Sequence, residues 1–142
     1  MKLFFVGVLA FIALAVASIF LLPKPDGSNL SQDPDILATN GMHWHPQLSI
    51  FVKGEQIEIP QNIGIGSVHQ TMHTHDDLPL LHLEFPALVR QADATLGRFF
   101  SIWGKDMRSL GANMRMTVNG QVSTEYENYV MHDGDKIELH YD

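Results

Sequence analysis

Three short segments place potential ligands at alternate positions: His43-Trp44-His45, His73-Thr74-His75 and His82-Leu83-Glu84. Alternate side chains of an extended chain point the same way, so each segment presents both of its donors to one face. Two such segments side by side would offer four imidazoles, and the third would add His82 and Glu84. Neutral imidazole is the commonest protein metal ligand and suits zinc, copper, iron and nickel. The expected metal ligands are therefore His43, His45, His73, His75, His82 and Glu84, gathered around one ion. Asp76 and Asp77 follow directly and are placed to complete the set or to orient a ring from behind. The chain has eight histidines, six of them between His43 and His82. His132 and His140 stand apart, in a turn and on a terminal strand, where solvated rings are expected.

The rest of the composition narrows the chemistry. There is no cysteine, which removes thiolate sites, thiol redox steps and disulfides. Met42 and Met72 each precede a His-x-His pair. A thioether is a soft ligand that favours Cu(I), which places copper slightly ahead of zinc; a methionine one residue away along a strand also points to the opposite face and can simply pack. A pH-sensing histidine cluster is the other reading of the same crowding. The formal net charge of −7 argues against nucleic acid as a partner, because phosphate binding needs a basic face. No Gly-x-Ser-x-Gly elbow and no Gly-rich phosphate loop is present. Glu84 beside a metal-bound water is the one residue with a place in catalysis, so an enzyme is not the leading expectation.

These ligands need elements to hold them. Gln47 to Val52 alternates, with Leu48, Ile50 and Val52 on one face, and residues 56–59 repeat the pattern after Lys53-Gly54-Glu55, which predicts a β-hairpin. Residues 80–85 alternate again. Thr95 is a fair N-cap for a helix through Trp103, with Leu96, Phe99, Phe100 and Trp103 at helical spacing and Gly104 as the stop. Residues 113–118 predict a strand entering the Asn119-Gly120 turn, and Lys136 to Tyr141 a last strand after Asp133-Gly134-Asp135. The order is that of an α+β domain with one main helix on a mixed sheet. It loosely resembles the β-grasp arrangement of ubiquitin-like and sulfur-carrier domains; sulfur carriers end in Gly-Gly, whereas this chain ends in His140-Tyr141-Asp142, so carrier chemistry does not follow.

Residues 3–22 form an apolar run without a charge, about the 20 residues that span a bilayer as a helix. Cleavage as a signal peptide at Ala15-Val16-Ala17 is the alternative, but the run continues through Leu22. An uncleaved anchor over residues 1–22, a linker over 23–40 and a domain over 41–142 are expected, with that domain outside the cytoplasm at the cell membrane.

Other motifs are similar to known families only in part. His43-Trp44-His45 is similar to the His-Trp-His of multicopper oxidases, but Pro46 follows it and the domain is too small for that fold. Cupins place a glutamate soon after His-x-His, while Glu84 lies nine residues past His75. Taken together, His-Trp-His-Pro, Ile59-Pro60-Gln61-Asn62-Ile63-Gly64, His-Thr-His-Asp and the stretch from Leu96 to Gly104 resemble a group of membrane-anchored archaeal and bacterial proteins. That resemblance covers residues 41–142 and implies one domain and no particular substrate. The expected function is a membrane-tethered, extracytoplasmic protein that binds copper or zinc for handling or delivery to a membrane-protein or metalloprotein partner. A metalloenzyme with an open coordination position, or a β-grasp interaction module with pH-responsive histidines, would be the alternatives.

Overall fold

The structure is a computed structural model that describes residues 33–142. In chain order its strands are β1 (Ile36–Ala38), β2 (Met42–Trp44), β3 (Gln47–Val52), β4 (Glu55–Ile57), β5 (Met72–His73), β6 (His82–Phe85) and β7 (Val89–Arg90). The helix α1 (Leu96–Trp103) follows, then β8 (Arg115–Val118), β9 (Gln121–Ser123) and β10 (Lys136–Tyr141). They make a mixed α+β domain with three sheets and one α-helix among the described residues. No described helix is long and apolar enough to cross a membrane. The anchor expected over residues 1–22 lies outside the described residues.

The largest sheet has the order β4-β3-β10-β8-β9. Its centre is β10, which runs parallel to β3 over all of Lys136 to Tyr141 and antiparallel to β8. Alternation explains the placement: Leu48, Ile50, Ile137, Leu139 and Met116 are all buried, while Glu138 and Lys136 between them are exposed. The β8–β9 turn has Asn119 and Gly120 both at positive φ, 52° and 79°, the conformation a two-residue hairpin loop requires and that this pair adopts readily.

The helix begins where Thr95 accepts a hydrogen bond from the Arg98 amide at 3.3 Å, and it ends at Gly104 in the left-handed region, φ 72°. Leu96, Phe99 and Phe100 are buried on its inner side and Trp103 is half-buried. They join the sheet residues in one continuous apolar core. Of the three aromatic rings on the helix, Phe99 and Phe100 pack fully inward.

Two local expectations change. Residues 36–38, which fall within the expected linker, form β1, which pairs antiparallel with β7. Long-range contacts override the weak local signal: the Gln91 amide donates to the Asp35 carbonyl at 2.8 Å, and Arg90 reaches the Asp35 carboxylate at 2.9 Å. The expected linker therefore overlaps ordered structure. Residues 72–73, outside the strands and the helix expected from local patterns, are the edge strand β5 of a third sheet, ordered β2-β6-β5.

Candidate metal centre

That small antiparallel sheet carries the histidines, and its register explains why they meet. His43 stands opposite Glu84, and His73 opposite His82. Trp44 and Met72 both stand opposite Leu83, and Met42 opposite Phe85. The pleat thus sorts the residues into a polar face of His43, Glu84, His82 and His73 and an apolar face of Met42, Trp44, Met72, Leu83 and Phe85. The apolar face packs into the main core. Met42, Met72 and Leu83 are buried there, so the two methionines turn their sulfurs away from the imidazoles. The Cu(I) argument from adjacent thioethers falls with that placement.

The middle residue of each motif has its own role. Thr74 is fully buried; its hydroxyl donates to the Pro60 carbonyl at 2.8 Å and accepts from the Ile63 amide at 3.0 Å. These bonds pin residues 60–63 against β5. Gly64 continues that contact: it has φ 73°, and a Cβ there would collide with the Met72 carbonyl. Trp44 stacks on His132 at 5.6 Å between centroids, and the His45 amide donates to Asp133 at 2.7 Å.

On the polar face the rings touch in sequence. Centroid separations are 4.7 Å for His43–His45, 4.8 Å for His45–His82, 5.3 Å for His82–His73 and 4.9 Å for His73–His75. All three alternate-position pairs present their donors to the same side, Glu84 Oε1 lying 3.1 Å from His43 Nε2 and 3.9 Å from His82 Nδ1. His69 joins the series at 4.4 Å from His73. It has no partner at alternate spacing, so the pattern passed over it; only the crowding of histidines between residues 43 and 82 carried any signal. The loop of residues 58–71 brings it in. His132 and His140 lie outside the cluster, His140 stacking on Phe51 at 4.7 Å and 8° on the large sheet.

Donor atoms within 4.8 Å of one another fall into three triads: His43, His45 and His82; His69, His73 and His75; and His73, His82 and Glu84. All six expected ligands are therefore in the cluster. The two His-x-His pairs occupy different triads, and none of these triads draws on both.

Two inner rings are set up from behind. His73 is 1% exposed, and its Nδ1 lies 3.1 Å from the Gln70 carbonyl. Donation to that carbonyl places the proton on Nδ1 and leaves the lone pair of Nε2 free, and Nε2 is buried with no hydrogen-bond partner. Burial, foremost, holds its pKa below the ordinary 6.5, keeping the ring neutral. His82 Nε2 faces both oxygens of Asp77 at 3.1 Å. That hydrogen bond, the main cause, holds Asp77 below the usual carboxylate range. With the Nε2 proton directed at Asp77, the Nδ1 lone pair of His82 is left free to coordinate, the arrangement by which a carboxylate orients a metal-ligating histidine. An open groove lined by Asn40, His43, His69, Gln70, His73 and Glu84 gives access to the face.

No protein-family model, no curated protein and no solved structure matches this chain. The functional reading therefore rests on the site itself.

Proposed function

We propose that this is a metal-binding domain, tethered to a membrane by the N-terminal apolar segment and facing away from the cytoplasm, which takes up divalent zinc or copper on its histidine face and passes it to a partner. The observation that carries the metal reading is the Nε2 of His73. An imidazole nitrogen buried without a partner costs about 1–3 kcal/mol, and here the rings of His69, His75 and His82 lie against the ring that carries it. A cation coordinated by that lone pair removes the penalty. The carboxylate behind His82 and the carbonyl behind His73 are the partners a ligating histidine needs.

The donor set favours no thiophilic ion. With imidazole and carboxylate as the donors and the methionine sulfurs buried, divalent zinc and divalent copper fit alike. The β-grasp reading of the fold is supported by the strand order β4-β3-β10-β8-β9 with parallel β3 and β10 at its middle. A second reading is a metalloenzyme: each triad has three protein ligands, and a fourth tetrahedral position left to water or substrate is the mark of a catalytic site.

Full-length protein purified in detergent without a polyhistidine tag, stripped with chelator and titrated calorimetrically with zinc and with Cu(II), tests the proposal. Saturable binding at micromolar affinity or tighter is expected. Failure of both ions to bind would remove it.

A further inference from the structure

The triads are linked by shared members, and this sharing sets how many ions the face can hold. His43, His45 and His82 have no residue in common with His69, His73 and His75. The third triad borrows His82 from the first and His73 from the second, adding Glu84. Filling it therefore empties both of the others, whereas the outer two can be filled together. Resting on the metal-binding reading above, we infer that the face is a two-ion site, with one divalent cation on His43, His45 and His82 and a second on His69, His73 and His75.

Several features favour the outer pair over one central ion. The central triad uses three of the seven donors and leaves four imidazoles idle, while the outer triads use all six imidazoles. His73 and His82, one from each outer triad, are the two inner rings held from behind, by the Gln70 carbonyl and by Asp77. They stack face to face at 5.3 Å and 10°, so each triad has one inner ring at the seam between the sites. Two cations so near each other repel, and the carboxylates lie where they offset this: Glu84 against His43 and His82, and Asp77 against the far side of His82. His69, absent from the repeating motif, is what completes the second set.

The test uses tag-free full chain in detergent, titrated with zinc chloride and assayed for metal after dialysis. His43→Ala/His45→Ala and His69→Ala/His75→Ala are the diagnostic double variants, since these four rings are exposed or half-buried and their loss spares the buried His73. Wild type is expected to take up two equivalents and each double variant one. One equivalent in wild type overturns the two-ion site and leaves metal binding standing. Two equivalents in wild type that persist in either variant also overturn it, because the ions then lie elsewhere. No zinc in wild type overturns both readings. Should a variant fail to fold, cobalt(II) titration of wild type alone decides: d–d absorbance that saturates at two equivalents agrees with the inference, and saturation at one contradicts it.

Discussion

The five-stranded sheet and the three-stranded sheet use the same alternation for opposite ends. In the large sheet β10 is hydrogen-bonded on both sides, its inward residues are Ile137, Leu139 and Tyr141, and its lone histidine, His140, stacks on Phe51. In the small sheet the strands are two to four residues long, the outward residues are imidazoles in mutual contact, and a buried nitrogen lacks a partner. Short strands of this kind are marginal alone. The small sheet persists because its apolar face belongs to the core that the large sheet and α1 build. The core resides largely in one region and the candidate metal ligands in the other, and the second depends on the first.

The dependence predicts an asymmetry. Phe99→Ala, at a fully buried ring on α1, should cost about 3–5 kcal/mol in urea unfolding of metal-free protein. It should also abolish zinc binding wherever the domain is unfolded. A cost below about 1 kcal/mol would mean that the helix does not support the core. The reverse influence is smaller. Saturating zinc at roughly a hundred times its Kd should stabilise the domain by about 2.7 kcal/mol for each ion bound, read as a shift in the unfolding midpoint; an unchanged midpoint would break the link between the two regions.

Asp77→Asn tests the support behind His82. An amide can present oxygen to the ring proton but carries no charge, so zinc affinity should fall by about 10–100-fold with the metal-free fold intact. Unaltered affinity would show that Asp77 does not orient a ligand. A smaller effect concerns protons. Burial holds His73 below its ordinary pKa of 6.5, so the unfolded chain takes up that proton more readily than the native one. Its contribution to stability is fully present above about pH 6.5 and is lost as pH falls below that toward the native value. Metal-free protein should unfold at lower urea at about pH 5 than at pH 7, and the His73→Asn variant should show less of this loss; equal loss in both would assign it to other groups. Metal affinity should weaken over the same range, since protonated imidazole cannot coordinate. Last, His43→Ala, at an exposed ring, should change stability of the metal-free protein by no more than about 0.5 kcal/mol.

Much was legible from local patterns. The hairpin from Gln47, the capped helix from Thr95 to Gly104, the Asn119-Gly120 turn and the last strand all follow from alternation, capping and turn chemistry acting over a few residues. Composition alone removed thiol chemistry. Alternate spacing put His82 and Glu84 on one side of β6, because the pleat has period two whatever the strand packs against, while His45 and His75 follow just past the ends of β2 and β5. Other features depend on contacts distant in sequence. β1 exists only through pairing with β7, some fifty residues on. Met42 and Met72 became core residues rather than ligands when the register with β6 decided which face was inward. His69 entered the cluster because Thr74 and Gly64 tie its loop against β5. Spacing could say that donors share a face, since that is local geometry. Which faces meet, and how six rings divide among triads, is set by strand register and loop closure, which only the folded chain defines.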